Sequence, residues 1–428
     1  MIPRSPILLR LCSALTASAA LAASLPAHGQ AVPTPSTAPS ATLTLSDALR
    51  QALAKAPAVR GAEAAATAAE AGVQAARLLP NPTLSIEAEN VMGSGPYARF
   101  GASETTYTLS MPLELGGKRA ARTRVALAEQ AGARVGADVA RADLALQVTQ
   151  AFIALVAGER RLEAARTRQQ LAGQGEQAAR ARVRAGKVSP IDEQRAAAQR
   201  IAAQVAVGRA GRALALARSR LARLTGLPQP FALAAPWFDE PVVAPHSEVQ
   251  GAPPLVAAAQ AQLDAAGARV DAARRARIPD LSISAGTRRF RESGESAAVF
   301  AVSVPLPVFN RGTAELARAR AELERAEAER SAAALEFDEA LGAARAELAD
   351  AQAAAASANG PELAVAQEAA RIARIGYAEG KFSQLDLIEA ERQLSQTQDA
   401  AIDALAALHD AHARLARMLG STAPIYKD

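Results

Sequence analysis

The sequence predicts a mainly α-helical chain with a small β part, built as a tandem repeat, and three observations carry that expectation. The stretch ARIGYAEGKFSQLDLIEAERQL, Ala373 to Leu394, has a degenerate copy 194 residues earlier, ARVRAGKVSPIDEQRAA, Ala181 to Ala197. In that register Gly186 matches Gly380, Lys187 matches Lys381, Ser189 matches Ser383 and Asp192 matches Asp386, and LARLTG (Leu221 to Gly226) falls on LARMLG (Leu415 to Gly420). Self-similarity at a fixed offset is the mark of repeat architecture. A helical pattern from Lys118 to Arg184 runs 67 positions without a proline, roughly 100 Å of helix and several times the ordinary globular length. Four short segments, finally, change to period two, the signal of strands with one apolar and one wet face.

Composition agrees with extended helices rather than a compact core. The 428 residues include 14 aromatics, one of them Trp, and the 50% hydrophobic fraction is largely alanine, which suits long helices in close approach. The formal charge of +5 raises nucleic acid as a partner, but the basic side chains alternate with acids and lack aromatic neighbours, so none is expected.

Residues 1–30, with Arg4 and Arg10 ahead of an apolar alanine-rich run and small residues near Ala27, Gly29 and Ala31, read as a secretory signal peptide. The single cysteine, Cys12, falls inside it, so no disulfide, thiolate metal site or cysteine chemistry is expected. Residues 31–43 read as a flexible leader rich in Pro, Ser and Thr. No other apolar run reaches the length of a membrane-spanning helix, so any membrane crossing is expected from strands.

The first repeat, 44–228, opens with a helix capped by Ser46 or Asp47 and running to about Leu79, where Pro80 and Pro82 stop it. Strands follow at Thr83 to Asn90 and Thr106 to Pro112 around a Gly, Ser and Pro loop. The long helix, the Gly186 turn and a return helix from Ile191 to about Thr225 complete the copy. A Pro-rich linker, 229–254, carries Trp237. The second repeat, 255–420, has a helix to Ile278, strands at Asp280 to Thr287 and Ala298 to Pro305 around a charged loop with Arg288, Arg289 and Glu292, and a long helix to Gly376 kinked at Gly360 and Pro361. The Gly380 turn, a last helix to Met418 and a tail, 421–428, follow.

Four strands cannot close a barrel, since the smallest outer-membrane barrels have about eight. Three protomers would give twelve strands and gather the helices into one hollow tube. Pro80, Pro82, Pro112, Pro279 and Pro305 then share one place, the corners between helix and strand.

At this point the sequence resembles the TolC-like outer-membrane efflux channels, and among them the outer-membrane component of heavy-metal (cobalt, zinc, cadmium) resistance pumps. The resemblance covers roughly Leu43 to Gly420. It rests on the duplication and on RLLPNPTLSIEAEN (Arg77 to Asn90), MPLELGGKR (Met111 to Arg119), VPLPVFNRG (Val304 to Gly312) and GYAEGKFSQLDLIEAER (Gly376 to Arg392). It implies a homotrimer with a twelve-stranded β-barrel in the outer membrane continued by a long periplasmic α-helical barrel. It also implies a membrane-fusion adaptor and an inner-membrane proton-driven pump of the RND class as partners, with a passive duct for metal cations as the function. No enzyme activity and no cofactor are expected. A same-fold duct for drug efflux or type I protein secretion is one rival; a soluble periplasmic coiled-coil scaffold is another, though it leaves the strands unexplained. The chain departs from many relatives in lacking a lipidated cysteine, and at the tip Phe382 stands where well-studied members carry a basic residue.

The candidate sites lie at the two tips. Gly186 and Gly380 give the backbone freedom of tight turns, and Lys187, Val188, Ser189, Lys381, Phe382 and Ser383 beside them are the expected adaptor contacts, against the alternative of ordinary turns. Asp192, Asp386 and Glu389 begin the return helices, where acids suit the helix dipole. Under threefold symmetry they would also form carboxylate rings that draw cations. Tyr377 matches by motif the family's gate tyrosine. His409, Asp410 and His412 share one helix and are too few for a closed zinc site, so a core or solvated face is expected and no metal site is assigned. Lys118 to Arg184 carries 13 basic and 6 acidic residues, against 7 and 12 from Thr313 to Gly376. In a barrel where the halves alternate around the ring, that opposition would favour first-repeat beside second-repeat packing and disfavour like beside like, or leave two solvated faces.

Overall fold

The computed structural model describes residues 42–228, 232–240, 252–422 and 426. The expected signal segment with Cys12, most of the leader, parts of the linker and tail, and His246 lie outside the described residues.

β1 (Thr42–Leu43) leads into α1 (Leu45–Lys55) and α2 (Pro57–Arg77). One helix from Ser46 to Leu79 was expected; two form, because Pro57 has no N–H to donate and forces Ala56 to an extended ψ of 126°. The cap is Thr44 rather than Ser46 or Asp47. Its extended backbone lets the hydroxyl accept from the Asp47 N–H at 3.2 Å, the geometry a cap requires. β2 (Thr83–Glu89), β3 (Glu104–Leu113), α3 (Lys118–Arg184) and α4 (Pro190–Thr225) complete the first series. β4 (Ala232–Leu233) and a 3₁₀ turn (Pro236–Asp239) cross to α5 (Pro254–Ala276), β5 (Leu281–Phe290), β6 (Ser296–Ser303) and α6 (Thr313–Ser357). A π turn (Ala358–Glu362) then leads to α7 (Leu363–Ala378) and α8 (Gln384–Met418). Gly360 leaves helical geometry there (φ −107°, ψ −106°), at the kink anticipated beside Pro361.

The four longer strands make one antiparallel sheet in the order β2-β3-β5-β6. Arg288 and Arg289, expected in a loop, belong to β5, pairing with Thr106 and Thr105. Arg288 is held in the sheet by Thr106 Oγ1 at 3.1 Å and Glu104 Oε2 at 3.0 Å. The register stacks Leu84, Leu109, Ala285 and Phe300 in one row, and Met111, Ile283 and Val302 in another. The opposite face carries Ser85, Thr108 and Gly286, then Glu87, Thr106 and Arg288. The apolar rows are bare: Leu84 is 66% and Phe300 80% exposed. Strands β2 and β6 each leave one edge unpaired among the described residues.

The main core gathers around the middle of α3. Val148, Phe152 and Leu155 are fully buried there, with Leu45 of α1, Leu221 of α4 and Leu408 of α8. One stretch of α3 is long and apolar enough to cross a membrane, contrary to expectation, but more than half of it is buried within the protein; it is apolar because it is core. The linker is more than a connection. Its strand β4 pairs in parallel with β1, and Trp237 and Phe238 enter the core beside Phe152 and His409.

The tail reaches this core through Tyr426, stacked on Trp237 with centroids 4.1 Å apart. His409 Nε2 donates to the Phe238 carbonyl at 3.0 Å, so its Nδ1 accepts from the Tyr426 hydroxyl at 2.6 Å. His412 Nδ1 then donates to that hydroxyl at 3.4 Å, leaving its Nε2 buried without a partner among the described residues. Burial lowers the pKa of both histidines, that of His412 to about 4 with help from neighbouring His409, and raises that of Tyr426. The pair is thus part of the core. No group of three or more His, Cys, Asp or Glu able to hold a metal occurs among the described residues.

Within one chain, α3 makes its ion pairs with the second repeat through α8 and α5. Arg161 pairs with Asp403, Arg168 with Asp399 and Asp143 with Arg417, all on α8, while Arg124 reaches Asp271 on α5. Among the described residues no ion pair joins α3 to α6; α5 and α8, which pack against both, supply the partners.

Candidate gate and docking tips

Both tips are built the same way. After α3, Gly186 takes φ +68°, its N–H donates to the Val183 carbonyl at 2.9 Å, and the Lys187 N–H reaches back to Arg182 at 2.9 Å. After α7, Gly380 takes φ +76°, with Gly380 donating to Tyr377 at 3.1 Å and Lys381 to Gly376 at 2.8 Å. These paired bonds consume the carbonyls that a helix end otherwise leaves open, and the left-handed residue they need is easiest for glycine. Phe382, 43% exposed, folds its ring onto Gly376, where an added Cβ would lie 2.2 Å from a ring carbon. Lys381 pairs with Glu379 at 2.6 Å. Val188 leads into Ser189, the N-cap of α4, whose first residue is Pro190.

Ser383 caps α8 in a reciprocal box with Asp386. Its hydroxyl accepts from the Asp386 N–H at 3.2 Å and donates to the carboxylate at 2.7 Å, and its own N–H donates to Asp386 Oδ2 at 2.9 Å. Those bonds hold the Asp386 carboxyl below the usual range, so it carries its charge at neutral pH. Asp192 faces Arg195 at 3.5 Å and Glu389 faces Arg392 at 2.7 Å.

The two tips are fastened side by side. Gln384 Nε2, at the start of α8, donates to the Asp192 carbonyl at 2.8 Å. Tyr377 is buried, with the Arg182 guanidinium 4.4 Å from its ring centroid. Behind these ties lies a cleft of about 550 Å³ between α3, α4, α7 and α8, lined by Leu171, Ala203, Tyr377, Leu387 and the Arg374–Glu391 ion pair. Asp192, Gln384, Tyr377 and Arg182 therefore form one cluster, while Asp386 and Glu389 sit on the α8 face with their own partners. Arg182 and Gln384 escaped the sequence reading. The repeat register pairs Arg182 with Gly376 and Val183 with Tyr377, so self-comparison gives no sign that Arg182 meets Tyr377.

A helical hairpin pair of this length, ending in a four-stranded sheet with bare edges, is the fold of outer-membrane channels. The solved outer-membrane protein VceC of Vibrio cholerae superposes with a TM-score of 0.73 at 20% identity, over 88% of this chain and 96% of that one. The chain belongs to the outer membrane efflux protein family, whose pattern matches residues 48–227 and 247–421. Among its relatives, the cobalt-zinc-cadmium resistance protein CzcC of Cupriavidus metallidurans is 32% identical over 357 residues, 82% of this chain and 84% of that protein. The nickel-cobalt-cadmium resistance protein NccC of Alcaligenes xylosoxydans xylosoxydans is 30% identical over 265 residues, 61% of this chain and 60% of that one.

Proposed function

We propose that three copies of this chain form the outer-membrane exit duct of a tripartite efflux system that expels heavy-metal cations. The observation that carries the reading is the sheet. Its apolar rows are exposed, its two edges are unpaired among the described residues, and it sits at one end of helices of about 100 Å. Exposed strand edges invite pairing with another chain, and three sheets joined edge to edge give a closed twelve-stranded barrel. The helices continue the barrel as a periplasmic tube. The duct is passive and not an enzyme; an RND pump in the inner membrane supplies the drive through a membrane-fusion adaptor, which docks on Gly186, Lys187, Val188, Ser189, Gly380, Lys381, Phe382 and Ser383. Tyr377 holds the constriction shut, and the rings of Asp192, Asp386 and Glu389 favour cations at its mouth.

The metal assignment follows the resistance for which the relatives CzcC and NccC are named. Deleting the gene should sensitise cells to one or more transition-metal cations, while the purified trimer binds none of them tightly. Unchanged metal tolerance, or stoichiometric zinc binding at micromolar affinity or better, would contradict it.

A further inference from the structure

Where α5 ends and α6 begins, next to the sheet, three guanidiniums gather without acidic partners among the described residues. Arg274, Arg277 and Arg311 line a pocket of about 380 Å³ together with Ile278 and Pro307. Arg277 crosses from the end of α5 to the start of α6, its Nε donating to the Arg311 carbonyl at 3.1 Å and its stem lying against Gly312. The acids of this region are already engaged: Asp271 by Arg124 and Arg275, Asp280 by Lys118, Glu114 by Arg122 and Glu315 by Arg318. Gly312, which precedes α6, offers no side-chain cap, so the first N–H groups of that helix add to the positive potential.

Beside the pocket the surface is apolar. Past the end of β6, Val304, Leu306 and Val308 are exposed, and Phe309 is 100% exposed. Ile278, two residues beyond the end of α5, is 43% exposed. Large apolar side chains left bare beside unpaired arginines match a ligand with a phosphate at one end and hydrocarbon at the other, because arginine grips phosphate bidentately while its stem covers apolar surface.

We propose that Arg274, Arg277 and Arg311 bind the phosphate of a membrane phospholipid, whose acyl chains lie along Leu306, Val308 and Phe309. The inference rests on the sheet lying in a membrane, as in the proposed function, and assigns the junction of sheet and helices to the headgroup level of the leaflet facing the helical tube. The site would seat one lipid per protomer and fix the depth of the barrel.

The test uses the full chain purified as a trimer in detergent, exposed to mixed micelles of phosphatidylglycerol or phosphatidylcholine, with retained lipid counted by native mass spectrometry. Wild type should keep phosphatidylglycerol, one per protomer, in preference to phosphatidylcholine. The R274Q/R277Q/R311Q variant should bind it roughly a hundredfold more weakly, about fivefold for each basic residue at an anionic surface. No retained lipid, equal retention by the variant, or displacement by millimolar inorganic phosphate, which would mark a free-anion site, overturns the proposal. If the triple variant fails to assemble, the wild-type comparison decides, and equal retention of both lipids overturns it. Conductance of the same preparation in planar bilayers reports on the duct separately. Trimers that keep lipid but never conduct break the duct and leave the lipid site; conducting trimers that keep none do the reverse.

Discussion

The guanidinium of Arg182, at the end of α3, lies over the ring of Tyr377, at the end of α7, 4.4 Å from its centroid. One cation–π contact thus ties the first-repeat tip to the second, and with the bond from Gln384 to the Asp192 carbonyl it closes the cleft behind them. Such a contact is worth about 0.5–2 kcal/mol, depending on how dry it is.

Replacing Arg182 by Ala should therefore loosen the second tip, and Tyr377→Phe should not, because the phenyl face still receives the cation. Hydrogen exchange of the amides from Gly376 to Lys381 measures this. Exchange should quicken by roughly tenfold in Arg182→Ala and Tyr377→Ala, the equivalent of about 1.4 kcal/mol. Equal protection in all three variants would show that the tip is held by its turn bonds alone.

At the tips, the cost of replacing glycine is conformational. An added Cβ at Gly186 meets nothing within 4 Å, yet φ is +68°. Gly186→Ala should cost about 1–2 kcal/mol and Gly186→Asn less, since Asn enters the left-handed region more readily. Thermal unfolding of the two variants checks the order. Gly376 differs: there the substitution drives into the Phe382 ring, so Gly376→Ala should be partly rescued by Phe382→Ala.

Much of this architecture is visible in the sequence because its signals are local. Period two marks the strands within two or three residues, an uninterrupted 3.6-residue pattern marks α3, and the offset repeat places Gly186 and Gly380 in equivalent turns. The break between α1 and α2 was written in Pro57, but alanine-rich pattern on both sides concealed it. What the sequence withholds are contacts between distant residues: Arg182 with Tyr377, Asp192 with Gln384, and the Trp237, His409, His412 and Tyr426 cluster. None of these has a spacing that a periodic pattern can show. The arginines of α3 were legible as an excess of charge, but their partners depended on which helix packs alongside.

The His412 ring gives the core a pH dependence. Its folded pKa is depressed to about 4 from the ordinary 6.5, so the unfolded chain takes up a proton first as pH falls. Stability is complete above about pH 6.5 and is lost as pH drops toward 4, by an amount on the order of 2 kcal/mol. His409, also depressed by burial, acts in the same direction, because protonating its Nδ1 displaces the Tyr426 donor. Thermal unfolding of wild type and His412→Leu at pH 8 and pH 4.5 checks this. The variant should lose less on acidification, and parallel losses would remove His412 from the account.

Arg168 grips Asp399 with two bonds, at 2.6 and 3.0 Å, and Ser395 with a third at 2.6 Å. Arg168→Glu should destabilise the protein to heat, and adding Asp399→Arg should recover about 0.5–1 kcal/mol, the range for partly exposed pairs. The partner is on α8; reversing charges on α6 instead should recover nothing. A double variant no better than the single one would reduce the pair to a solvated contact.

The most direct test is single-channel recording of the purified trimer in planar lipid bilayers. The account predicts cation-preferring channels of low resting conductance. Tyr377→Ala should raise that conductance, and Asp192→Asn with Asp386→Asn should reduce the cation preference while leaving trimers intact. Protein that inserts no channels, or variants with unchanged conductance and selectivity, would contradict a duct closed at these tips.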